Sequence, residues 1–267
     1  MTIIQSIVLG LTQGITEFLP VSSSAHLSVI PFIFGWQPHS LDFDLILHLA
    51  TLLVLLFFYR TKLSKIVTEL LGKEKIARDK SLKLTISLIL TTIPAVIFGL
   101  LAKDFIENLT SALAIIATMM IIMGIVMIAS DYLFEKSTGL YEKLKPQNAL
   151  LIGIFQALAL IRGVSRSGIT LIGSRLNGLS REEAAEYTFL AGIPITAASM
   201  ASLFLDIRKT GLTEHLDVII IGFLTTLVSG YIAIRFLIGF LKNHGLAAFG
   251  VYRIILGLVV FALLLFR

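Results

Sequence analysis

Six runs of about 20 mostly apolar residues, near 41–59, 84–102, 112–130, 184–205, 218–241 and 246–266, each reach the length a helix needs to cross a bilayer. Two further apolar stretches do not. Residues 3–19 with 25–35, and 149–161 with 169–176, form pairs of short runs hinged on Pro20-Val21-Ser22 and Gly163-Val164-Ser165. Non-helical backbone at membrane depth is tolerated only inside protein or beside a wet cavity. Each pair is therefore expected to be a re-entrant helix–loop–helix hairpin. The expected fold is an all-α polytopic membrane protein of six transmembrane helices and two such hairpins, in one membrane domain spanning 1–267. With 56% hydrophobic and 15% charged residues, the chain lies far from the ~25% charge of soluble domains.

The two hinges belong to a repeat. A shift of 143 positions places Gly10 on Gly153, Gln13 on Gln156, Val21 on Val164, Ser22 on Ser165 and Ser24 on Ser167. The halves then run from about 1–130 and from 149–267. One hairpin and three crossings per half is an odd number, so the second half should sit upside down relative to the first. Corresponding broken segments in such inverted repeats point to a binding site near the bilayer midplane.

Charge and cysteine content narrow the possibilities. The net charge of +5 is concentrated between Arg60 and Lys83, where eight Lys and Arg face three acids. Short basic loops stay cytoplasmic, so this segment reads as a topology signal and not as a nucleic-acid site. The loop carrying Lys136, Lys143 and Lys145 falls on the same side. The absence of cysteine excludes disulfides and thiolate metal sites.

The hinges also carry the polar chemistry. Ser22, Ser23 and Ser24 follow Pro20 and would open the second helix of the first hairpin; Ser165, Arg166 and Ser167 would open that of the second. Free N–H groups at two helix N-termini attract an anion such as phosphate, although the serines could be helix caps and nothing more. Arg166 costs about 2.5–3.5 kcal/mol at the bilayer centre and needs a partner or ligand. Its planar fork suits a phosphate, and an ion pair with Glu17 is the alternative. Gln13 lies one turn before Glu17 on the same helix face. That pair could hold a divalent cation through oxygen, or Glu17 could act alone as a general base. His26, beside Ser23 and Glu17, is expected to transfer protons. His48 sits inside a span without polar neighbours and reads as structural.

QGITEFLPVSSSAH from Gln13 to His26, and RGVSRSGIT from Arg162 to Thr170, resemble the two sharpest motifs of the bacitracin-resistance type undecaprenyl-diphosphatases, and the resemblance covers essentially the whole chain. These are membrane enzymes that hydrolyse C55 polyprenyl diphosphate to the monophosphate, recycling the lipid carrier of cell-wall synthesis. The resemblance implies that Glu17, Ser23, His26 and Arg166 are the functional residues, with Ser165 and Thr170 near the phosphates and Gln13 beside a divalent cation, Mg2+ or Ca2+. It implies a cell-membrane location and a polyprenyl diphosphate lipid as partner, with a second copy of the chain as a candidate partner. Ser23 is the expected nucleophile, with His26, helped by Glu17, taking its proton; attack by a metal-bound water is the alternative. A polyprenyl-phosphate flippase using the same inverted repeat is the competing function. Two positions depart from the family pattern: Ala25 replaces a glycine, and Arg162 replaces the proline of the second motif.

Overall fold

The computed structural model describes residues 1–109, 111–134, 137–210 and 214–266; Lys136 lies outside them. The chain is helical: α1 (Ile3–Phe18), α2 (Ser23–Phe34), α3 (Leu41–Phe58), α4 (Arg60–Leu71), α5 (Lys75–Leu109), α6 (Leu113–Leu133), α7 (Pro146–Ala157), α8 (Arg166–Leu176), α9 (Arg181–Thr210), α10 (Leu216–Leu241) and α11 (Ala247–Phe266). Helices α3, α5, α6, α9, α10 and α11 are long and apolar enough to cross a bilayer. The protein is an all-α polytopic membrane protein.

The short helices fall where the hinges do. A capping box between Thr2 and Gln5 starts α1. Pro20 follows its end by two residues and cannot continue the helix. With 16 and 12 residues, α1 and α2 reach only about 24 and 18 Å, short of the ~30 Å hydrocarbon core. In the second half α7 and α8, with 12 and 11 residues, are separated by a 3-10 turn at Leu158–Leu160 and the hinge.

One departure from expectation is local. The basic stretch from Arg60 to Lys83 is not a connecting loop: Arg60–Leu71 forms α4, which buries no residue, and α5 already begins at Lys75. Lys, Leu and Glu are good helix formers, and Leu63 and Ile66 pack half-buried against the main core.

Repeat-related elements make the same contacts. α1 packs on α10 as α7 packs on α5; α3 packs on α9, and α6 on α11. The first short helix of each half, α1 or α7, is therefore seated on a long helix of the other. Small residues permit the approach. A Cβ at Gly10 would lie 2.7 Å from Gly222 O, and one at Gly153 would lie 2.7 Å from Thr91 O. Hydroxyls stitch the same seams, with Thr226 Oγ1 donating to Gly10 O at 2.9 Å and Thr91 Oγ1 to Ala149 O at 3.0 Å. Close backbones and side-chain hydrogen bonds are how helices associate without a hydrophobic drive. The result brings both hinges into one interior.

Candidate active site

Both hinges end in a strained serine. Ser22 (φ 75°) and Ser165 (φ 76°) are the only non-glycine residues with positive φ among the described residues. Each caps its helix through Oγ, which accepts from Ala25 N at 3.4 Å and from Gly168 N at 3.3 Å respectively. Each also pairs with the serine two positions on, Ser24 at 3.2 Å and Ser167 at 3.3 Å. Such backbone costs about 1–3 kcal/mol per residue and persists where the surroundings over-determine it. Two occurrences at repeat-related positions mark a shared construction.

Between the tips lies a cavity of about 170 Å³, lined among others by Glu17, Ser22, Ser23, Ser24, Ser165 and Arg166. Glu17 is its organiser. Ser23 Oγ donates to Glu17 Oε2 at 2.6 Å, and Gln13 Nε2 donates to the same oxygen at 3.3 Å. Arg166 Nη2 donates to Glu17 Oε1, forming an ion pair between the halves. Arg166 Nη1 donates to Gly192 O at 3.1 Å and to Thr196 Oγ1, which ties it to α9. Removing one partner of so buried a pair would leave an uncompensated charge. The ion-pair alternative for Arg166 is thus realised in the structure, and the same guanidinium still lines the cavity.

Other expected site residues lie elsewhere. Ser167 does not line this cavity; its Oγ reaches Leu19 O at 3.3 Å and so joins the two tips. Thr170 is fully buried one turn into α8, away from the cavity lining, and its Oγ1 has no hydrogen-bond partner among the described residues. His26 is also buried and does not line the cavity. Its Nδ1 meets Ser22 O at 2.8 Å and its Nε2 meets Tyr252 Oη at 2.7 Å. A carbonyl can only accept, so Nδ1 carries the proton, and the tyrosine hydroxyl donates to Nε2. No hydrogen bond joins His26 to Ser23 or Glu17 among the described residues. The hydroxyl that His26 was expected to deprotonate has Glu17 as its partner.

His48 corrects the opposite way. It lines the same cavity as Glu17 and Ser23, with Nδ1 held by Asp44 O at 2.9 Å. Its polar surroundings come from both hairpins and from α9, so its own span gave no sign of them. Gln156 was visible only as the repeat mate of Gln13; it lines the cavity, and its Nε2 donates to Thr91 O at 3.1 Å.

Both glutamines leave Oε1 buried without a partner. The Gln13 amide is oriented by its bond to the Glu17 carboxylate, so the unpaired atom is the oxygen. A free carbonyl oxygen beside a carboxylate suits a hard cation. No group of three His, Cys, Asp or Glu gathers among the described residues, so phosphate oxygens would have to complete the coordination. Glu17 lines the cavity but Gln13, fully buried, does not, so of the two it is Glu17 that a divalent cation in the cavity would meet.

The cavity shares Ala95, Leu160, Ile195 and Ser199 with an apolar groove of about 210 Å³ between α5 and α9. A polar chamber adjoining an apolar groove matches an amphiphile with an anionic head.

The family model described as bacitracin resistance protein BacA matches residues 6–259. The chain is 39% identical over 269 residues to the undecaprenyl-diphosphatase of Caldicellulosiruptor bescii, covering 100% of this chain and 99% of that protein. It is 38% identical over 273 residues to that of Gemmatimonas aurantiaca, covering 100% of both. Identity to the Colwellia psychrerythraea undecaprenyl-diphosphatase is 39% over 266 residues, with 96% and 97% covered.

Proposed function

The chain belongs to the BacA family of bacitracin resistance proteins, and from that premise we propose that it hydrolyses undecaprenyl diphosphate to undecaprenyl phosphate and inorganic phosphate. The protein acts as a phosphatase in a membrane, the plasma membrane in this reading, and recycles a lipid carrier for cell-envelope synthesis. One observation carries the mechanism: Ser23 and Glu17 of one half meet Arg166 of the other on the wall of one cavity. In this reading both short-helix pairs are re-entrant and the halves are inverted, so that their tips meet at membrane depth.

The diphosphate occupies the polar cavity and the first part of the prenyl tail lies in the groove between α5 and α9. Arg166 holds phosphate oxygens bidentately, and the N–H groups that open α2 and α8 add their partial positive charge. Ser23 Oγ attacks the terminal phosphorus while Glu17 Oε2 takes the hydroxyl proton. The bond from phosphorus to the bridging oxygen breaks, and undecaprenyl phosphate leaves. Glu17 gives that proton up to the departing lipid phosphate; water then attacks the phosphoserine, passing a proton to Glu17, which returns it to Ser23 Oγ as inorganic phosphate leaves. His26 fixes the Ser22 carbonyl and so the start of α2. A divalent cation, Mg2+ or Ca2+, would be held by Glu17 and would neutralise phosphate charge. Most of the acceleration in phosphoryl transfer comes from such positioning and neutralisation.

The test is phosphate release from undecaprenyl diphosphate by the purified protein in detergent, alone and with Arg166→Ala or a chelator. Release that is lost in both supports the reading. Movement of the lipid across sealed vesicles with no phosphate released would sink it in favour of the flippase.

A further inference from the structure

Arg253 on α11 is fully buried, and no carboxylate among the described residues forms an ion pair with it. Its guanidinium is satisfied by backbone carbonyls alone. Nη1 donates to Pro20 O at 3.2 Å, Nη2 donates to Gly163 O, and Nε reaches Met120 O on α6 at 3.5 Å. An arginine with these surroundings is costly at membrane depth, so such a residue is retained for what it does.

The identity of the two main acceptors shows what that is. Pro20 and Gly163 are repeat mates, 143 positions apart, one in each hinge. Each carbonyl lies two residues before a positive-φ serine, Ser22 in one hinge and Ser165 in the other. A guanidinium presents two equivalent terminal nitrogens in a rigid plane. One fork thus grips both loops at repeat-related carbonyls. The neighbouring Tyr252 fastens the first hinge a second time through His26 and the Ser22 carbonyl.

We infer that Arg253 is a positioning residue for the reaction, a single clamp that fixes the separation of the two hinge tips and thereby sets Ser23 and Glu17 of one half against Arg166 of the other. It touches neither the cavity lining nor those three side chains, so it acts through the backbone of both loops. Lysine cannot replace it, because one ammonium on a flexible stem does not reproduce a fork spanning two carbonyls. The inference rests on the hydrolytic reading for its effect on rate, and on geometry alone for its effect on the loops.

The experiment therefore reads both. The chain has no cysteine, so Phe34→Cys and Leu176→Cys, at the exposed ends of α2 and α8, take spin labels at two unique positions. Distances between the labels are measured with Arg253 and with Arg253→Lys, alongside kcat, KM and the thermal midpoint. Arg253→Lys is expected to broaden the distance distribution and to lower kcat by about 10²-fold, the scale of a roughly 1 Å misplacement, while KM changes little and folding survives. A distribution as narrow as the parent's overturns the clamp, and so does a parental kcat in a variant whose distances have broadened. If Arg253→Lys does not fold, Arg253→Gln, which keeps one planar donor group, is put to the same two readouts. A parent protein that releases no phosphate would defeat the hydrolytic reading, and the label distances would still decide the clamp.

Discussion

The hydroxyl of Ser23 donates to Oε2 of Glu17 at 2.6 Å across the turn that joins α1 to α2. In the proposed mechanism that bond puts the carboxylate in place to take the proton of the attacking hydroxyl. Glu17→Gln keeps the shape and loses the proton acceptor, and is expected to lower kcat by about 10²- to 10⁴-fold. Ser23→Ala should abolish turnover and leave no phosphorylated peptide, whereas quenched wild-type reactions should show Ser23 carrying phosphate by mass spectrometry. Near-normal turnover of Ser23→Ala would mean that water attacks directly and Ser23 only holds phosphate.

The strained caps make an ordering that a surface serine would not. At Ser22 and Ser165, alanine removes the cap and keeps the positive φ, while glycine removes the cap and relieves the backbone. Each Ser→Ala is expected to cost about 1 kcal/mol or more, and each Ser→Gly only a few tenths. Thermal unfolding in detergent decides it; alanine variants as stable as glycine variants would show that the φ values carry no strain.

The packing seams predict a matched pair of failures. Gly10→Ala and Gly153→Ala each drive a methyl group to 2.7 Å from a backbone oxygen of the opposite half, which cannot yield as a side chain could. Each is expected to destabilise the fold by about 1–3 kcal/mol. Gly239, whose Cβ would meet nothing within 4 Å, is the control: Gly239→Ala should leave the thermal midpoint unchanged or raised.

A pH effect is expected outside the spans, at His39 in the connection before α3. Burial opposes its protonation, but the Asp44 carboxylate, hydrogen-bonded at 2.7 Å, outweighs that and raises its pKa. Arg162 nearby opposes the charge and Glu214 favours it. Because the folded value is raised, the pair's stabilisation is complete below the ordinary histidine pKa of about 6.5 and is lost as pH climbs through the folded value. Thermal midpoints should therefore fall over that interval in the wild type, and His39→Gln should flatten the fall. An unchanged pH profile in His39→Gln would remove the pair from the account.

The long spans were legible because a bilayer imposes a length that apolar runs either meet or miss, and the hinges were legible because Pro20, Gly163 and the serines break those runs. The pairing of Glu17 with Arg166 could be named from the cost of two charges in lipid. What the chain alone withheld was tertiary. Nothing near His48 in sequence shows that its ring shares a cavity with Glu17, and nothing near His26 shows that Ser22 O and Tyr252 occupy both its nitrogens. Arg253 gave no sign of its role, since its acceptors are carbonyls, which leave no trace in residue type. α4 was missed for a different reason: its apolar face is short and only half-buried, and the charges between Arg60 and Lys83 read as a loop.

The 143-residue shift that relates the halves sets Glu17 on Leu160 and Ser23 on Arg166. Twin scaffolds have thus diverged into dissimilar tools, a proton acceptor and hydroxyl on one side and a guanidinium on the other. A chain built from two copies of the first half would confront one carboxylate with another, and a chain built from two copies of the second would confront one cation with another. Only the unlike combination is neutral, so the repeat supplies the frame, and the differences between its two parts supply the chemistry.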